Sequence, residues 1–146
     1  MNSSTKLKPV AKIRKQQEKN AARLHGDMLR QAGKLQKQLD ELIDYRDQYL
    51  KSFHLAAQSG LSAVQMQDYR LFINRLDVAI KQQQQSVASG RKNCEKSHEN
   101  LIDKRSKSKI IEKVVESRQQ LENEMIKKHE QRELEDLPNN NTTNRK

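Results

Sequence analysis

Four residues near the middle of the chain, Ser59-Gly60-Leu61-Ser62, limit its possible folds more than any others. Gly60 lacks a Cβ and takes the left-handed conformation that ends a helix with little strain. Ser62 is a preferred N-cap, and Gln65 can return a bond to the cap's own N–H, which makes S-x-x-Q a capping box. Leu61 before the cap and Met66 at the fourth helical position complete a hydrophobic staple. A helix stop and a helix start this close together force the two helices to run antiparallel.

Each flank of the turn carries a helical period. Pro9 suits a first turn, where its missing N–H leaves no bond unmade. Apolar or small residues then recur at Ala21, Leu24, Met28, Ala32, Leu35, Leu39, Leu42, Tyr49, Phe53 and Ala56, in steps of three and four or their sum. The expected first helix is about 9–58, the turn 59–62 and the second helix about 63–137, closed by Pro138. These lengths are roughly 75 Å and 110 Å, so the second helix overhangs the first by ~25 residues. Residues 138–146 have no period and are expected to be a disordered tail.

Composition agrees with that outline. Of 146 residues, 33% are apolar and 33% charged, with 3% aromatic and no tryptophan. That is too little apolar material for a compact core, and four glycines with two prolines are too few for an all-β fold. The expectation is an all-α chain: one long antiparallel two-helix coiled-coil hairpin over residues 1–137.

In a hairpin closing at Gly60, facing residues have numbers that sum to about 121, with side chains spaced 100° apart around each helix. On that basis Leu39, Ile43, Leu50 and Phe53, interrupted by Arg46, meet Tyr69, Ile73, Leu76, Ile80 and Val87 in the seam. A second stripe flanks it: Gln38, Leu42, Tyr45 and Tyr49 on the first helix, Phe72, Ala79 and Gln83 on the second, with Leu76 at the boundary. Antiparallel helices wind oppositely when viewed from one end, so the two flanks meet on one face. The combined apolar arc is wider than a two-stranded seam needs, and its surplus, rich in tyrosine, suits either a partner protein or a second copy. Beyond Ile80 the seam residues are small or polar, and that half is expected to be looser.

The net charge is +10 with a pI near 9.8, which favours acidic partners. Residues 1–23 hold Lys6, Lys8, Lys12, Arg14, Lys15, Lys19 and Arg23 against Glu18 alone, and Lys104, Arg105, Lys107 and Lys109 lie opposite. This basic end lacks aromatics for base stacking, so nucleic acid is not the expected ligand. The one cysteine, Cys94, permits no internal disulfide and fits a reducing compartment. No run approaches the length of a membrane span. Phosphate-loop, dinucleotide and nucleophile-elbow motifs are absent, and Cys94 with His98 supplies only two metal ligands. No catalysis, metal or cofactor is expected.

The runs LDELIDYRDQYLKSF (Leu39–Phe53) and QDYRLFINRLDVAIKQQ (Gln67–Gln83) on either side of the glycine turn resemble the flagellar export protein FliJ family. The shared features are L-I-D-Y-x-x-x-Y before the turn and Y-x-x-F-I-x-x-L-x-x-A-I after it; AARLHGDM (Ala21–Met28) also fits. The resemblance implies a cytoplasmic component of the type III export apparatus, peripheral to the inner membrane at the flagellar base. It implies as partners the hexameric export ATPase, the cytoplasmic domain of the export-gate membrane protein, and export chaperones. The implied gate-contacting residues are Gln38, Leu42, Tyr45, Tyr49, Phe72, Leu76, Ala79 and Gln83. The implied contacts with the ATPase ring are Ile13, Arg14, Lys15, Arg23, Lys104 and Arg105. A virulence type III stalk protein is the alternative, and a basic nucleic-acid binder a more remote one. The chain departs from the family in lacking a tryptophan in its second helix and in its polar tail.

Overall fold

The computed structural model describes residues 3–137. They form two helices, α1 (Ser3–Gln58) and α2 (Ala63–Glu135), with no strand among the described residues. The fold is all-α, an antiparallel two-helix hairpin. Pro138 and the tail 138–146 lie outside the described residues.

The turn is built as its chemistry dictates. Ser59 N–H donates to Ala56 O at 3.2 Å and Gly60 N–H to Ala57 O at 3.3 Å, and Gly60 sits at φ 90°. Gln65 N–H donates to Ser62 Oγ at 3.2 Å while Ser62 N–H donates to Gln65 Oε1 at 3.1 Å, which closes the capping box. Leu61 and Met66 are both half-buried beside it.

Packing divides the chain into two compact units, residues 20–102 and residues 3–19 with 103–137. In the unit 20–102, a series of covered positions on α1 falls at 21, 25, 28, 32, 35, 39, 42, 46, 49, 53 and 56, with Gly26, Gln36 and Leu50 half-buried beside it. On α2 the series falls at 66, 69, 73, 76, 80, 83, 87, 90, 94, 97 and 101, with Phe72, Asp77 and Ala79 half-buried beside it. Both series alternate steps of three and four without a slip, a strict seven-residue repeat. This corrects the seam expected from 100° spacing. Ile43 is 38% exposed and lies outside it, whereas Leu42 and Tyr49, expected on the flank, lie within it; Leu39, Arg46, Leu50 and Phe53 are covered as expected. A straight helix drifts about 20° per seven residues from such a repeat, so 100° spacing slides off the true seam within two heptads.

Most of these positions are large and apolar, but few are fully buried. The buried hydrophobic residues of this unit are Ala21, Leu39, Leu76, Val87 and Leu101. Polar residues fill other layers, and each finds a partner across the seam. Gln83 Nε2 donates to Leu35 O at 2.9 Å, Cys94 Sγ–H to Met28 O at 3.1 Å, and Arg46 Nε meets Asp77. His25 Nδ1 bonds Ser97 Oγ at 2.8 Å, and Ser97 also donates to Cys94 O. Gly90 marks the closest approach: a Cβ there would lie 3.0 Å from Leu35 Cδ1 and 3.7 Å from Ala32 Cα. Gly33 is exposed with nothing within 4 Å of its Cβ position.

The other unit repeats the pattern with α1 positions 4, 7, 11, 14 and 18 and α2 positions 104, 108, 111 and 115. Here α1 begins at Ser3, six residues before the expected start, and Pro9 lies inside the helix. A proline there removes one backbone bond. The early start is held from outside: Ser4 N–H and Ser4 Oγ–H both donate to the Glu122 carboxylate, at 3.0 Å and 2.6 Å. A side chain of α2 thus serves as the N-terminal cap of α1, where the helix dipole favours negative charge. The overhang of α2 consequently begins after Glu122, later than expected, and residues 123–137 are all exposed.

Two outcomes follow. Gly33→Ala should raise thermal stability by up to about 1 kcal/mol, because it adds helix propensity where there is open space. Gly60→Ala should lower stability by about 1 kcal/mol, because a Cβ disfavours its left-handed backbone. Calorimetry of both variants checks the pair. The Ser4 hydroxyl and backbone N–H hold the Glu122 carboxyl below its ordinary 4.5, assisted by Lys8. A carboxylate depressed on folding stabilises above its unfolded value and loses that contribution as pH falls through the folded value. Acidification below pH 4.5, or Glu122→Gln at neutral pH, should therefore speed amide exchange in the first turns of α1 and leave the 59–66 turn unchanged.

Candidate protein-docking face

The chain has three tyrosines and two phenylalanines, and all five gather near the turn in the unit 20–102. Their ring centroids make one ladder: Phe53 to Tyr69 at 5.2 Å, Tyr69 to Tyr49 at 5.3 Å, Tyr49 to Phe72 at 4.4 Å, and Phe72 to Tyr45 at 6.2 Å, edge-on. The ladder begins in the seam, where Phe53, Tyr69 and Tyr49 are half-buried, and ends outside it at Tyr45, which is 50% exposed. Tyr45 is therefore a rigid aromatic presented to solvent, its ring set by neighbours that are themselves packed. Burial raises the Tyr49 hydroxyl above its ordinary 10.0, and Tyr69, Tyr45 and the charge of Asp68 add to the effect.

Beside Tyr45 runs a shallow groove lined by Gln38, Glu41, Leu42, Tyr45 and Gln83. The Gln83 amide that caps Leu35 O also donates to Gln38 Oε1 at 3.2 Å, which holds the groove's two amides in fixed positions. Four of the five lining residues belong to the flank predicted from sequence. Glu41 is the one that sequence reasoning passed over, although its place four residues before Tyr45 puts it on the same helix face. Phe72 and Ala79 lie half-buried along the same flank. Leu76, by contrast, is 8% exposed and supports the face from beneath. The 49/72 ring contact and the 38/83 hydrogen bond match the expected pairing.

The basic residues are less concentrated than their numbers imply. Ile13, Arg14, Lys15, Lys104 and Arg105 belong to the unit formed by 3–19 with 103–137, while Arg23 belongs to the other. Glu18, whose side chain is 17% exposed, sits among them, 3.4 Å from Lys15 Nζ and 3.6 Å from Arg105 Nε. Burial pushes its carboxyl up, but Ser108, Lys15 and Arg105 outweigh this and hold it below its ordinary value. Ser108 is buried against this carboxylate without completing a hydrogen bond of full geometry. Lys15 is also 3.9 Å from Glu112, and Arg14 reaches Gln17. Ile13 is 58% exposed and Arg23 is exposed.

Among the described residues no group of three or more His, Cys, Asp or Glu side chains could hold a metal ion, and no helix is long and apolar enough to cross a membrane. What the geometry offers is an exposed aromatic beside a shallow groove.

Comparison with known proteins gives the family. The flagellar FliJ protein family matches residues 3–145. A flagellar FliJ protein of Escherichia coli K12 is 34% identical over 68 residues, 47% of this chain and 46% of its own. One of Salmonella typhi is 35% identical over 63 residues, 43% of each chain. The aligned stretches span less than half the length of these curated relatives. No solved structure matches the chain.

Exposure separates the roles of the face. Leu76→Ala should destabilise the fold by about 2–3 kcal/mol through lost burial and a residual cavity. Tyr45→Ala should shift the unfolding midpoint far less, by under about 1 kcal/mol. Denaturant titration of the two variants tests this ordering.

Proposed function

The chain belongs to the FliJ family of flagellar proteins, and we propose that it acts in flagellar protein export by coupling the hexameric export ATPase to the cytoplasmic domain of the export gate, without catalysing a reaction itself. The observation that carries this reading is the aromatic ladder, which ends at an exposed tyrosine beside a groove with two positioned amides. Aromatic anchors backed by packed neighbours are the side chains that dominate protein–protein affinity. The gate domain occupies the flank formed by Gln38, Leu42, Tyr45, Tyr49, Phe72, Ala79 and Gln83, with Leu76 beneath it.

The basic unit formed by 3–19 with 103–137 engages the export ATPase through Ile13, Arg14, Lys15, Lys104 and Arg105, and Arg23 adds a further contact. Surface charge of this kind steers association with an acidic partner more than it sets final affinity. Export chaperones are the third class of partner. Peripheral association with the membrane follows from the gate contact.

The test is a pull-down of the purified chain with the export ATPase and with the gate's cytoplasmic domain. Tyr45→Ala with Phe72→Ala should reduce gate binding at least tenfold, with circular dichroism still helical and ATPase binding intact. Retention of gate binding by this folded double variant would overturn the site assignment.

A further inference from the structure

A second apolar line lies on α2 away from both the seam and the docking face. Val64, Leu71 and Val78 are spaced seven residues apart, the repeat that keeps side chains in register along a supercoiled contact. They are 68%, 50% and 56% exposed, and Leu71 and Val78 line a shallow groove with Asn74 and Arg75.

The residues around this line are arranged symmetrically about Leu71. Val64 and Val78 are equally distant from it. Asp68 stands three residues before it and Arg75 four after, on one side of the line; Gln67 stands four before and Asn74 three after, on the other. We propose that this face of α2 pairs with the same face of a second copy of the chain, antiparallel, about a twofold axis through Leu71. A twofold interface must be self-complementary, so that residue i meets j and j meets i. Here Leu71 meets itself and Val64 meets Val78 of the second copy. In antiparallel helices same-side flanks meet, so Asp68 faces Arg75 twice while Gln67 faces Asn74 twice. Among the described residues neither Asp68 nor Arg75 has an ion-pair partner within the chain; the charge of Asp68 is felt at Tyr49.

The contact is small. It spans about 21 Å of helix with three apolar residues per copy, well below the roughly 1,200–2,000 Å² of a stable interface. The pair is therefore weak and forms where copies are concentrated. It weakens further in salt, as exposed ion pairs do.

Cysteine cross-linking of the full chain tests the axis, with Cys94→Ser as background and Lys51→Cys as a surface control. Leu71→Cys should form a disulfide-linked dimer several-fold faster than the control. Val64→Cys should cross-link with added Val78→Cys but not with itself. Asp68→Arg and Arg75→Asp should each reduce the dimer fraction several-fold in sedimentation equilibrium at high concentration, and a mixture of the two should restore it. Leu71→Cys cross-linking no faster than Lys51→Cys, or charge variants that sediment as the parent does, would overturn the proposal.

Discussion

The rest of the structure depends on a seam that repeats every seven residues without a slip. Two helices alone bury only a narrow stripe, so the apolar area available to oppose chain entropy is small. The chain does not use even that stripe fully. Arg46, Gln83, Gly90, Cys94 and Ser97 occupy positions where leucine would bury more. Each polar residue among them is satisfied by a specific partner on the opposite helix, which a helix shifted by one heptad would not provide. Sliding would pair Gln83 with something other than Leu35 O and drive Leu35 against a side chain other than Gly90. Polar layers thus fix register where apolar ones would only add adhesion, in exchange for some stability.

That fixed register gives the docking face its geometry. Tyr45 sits one residue outside the seam on α1 and Phe72 one residue outside it on α2, and they meet edge-on because Tyr49 and Phe72 are already locked at 4.4 Å. The large rings lie close to the capped turn that joins the two helices. The small and polar layers lie farther from it. The packed rings thus coincide with the proposed docking face, and a preformed surface binds at lower entropic cost.

Much of this was legible in the sequence because the turn signals are local. Gly60, Ser62 and Gln65 act within six residues, and their bonds needed no tertiary context. The partner flank was legible too, since 49/72 and 38/83 follow from counting outward from the turn. The seam was read less well. Spacing at 100° describes a straight helix, and it placed Ile43 inside and Tyr49 outside because supercoiling is a property of the pair of helices. The start of α1 was missed for a related reason. Pro9 is a reliable local signal, but it was outweighed by Glu122, more than a hundred residues away in the sequence, whose carboxylate caps Ser4.

Glu18 and Glu122 show how a chain with a net charge of +10 places its acids. Each is a carboxylate held below its ordinary range in the unit that contains 3–19 and 103–137. Glu18 stands between Lys15 and Arg105, one from each helix, and Glu122 joins α2 to the first turn of α1. Without these two acids the basic residues of α1 and α2 would face one another with fewer opposing charges. The excess of lysine and arginine is compatible with pairing because the acids sit at seam positions, where one carboxylate reaches both helices. The remaining positive charge is displaced outward, where it is free to attract an acidic partner.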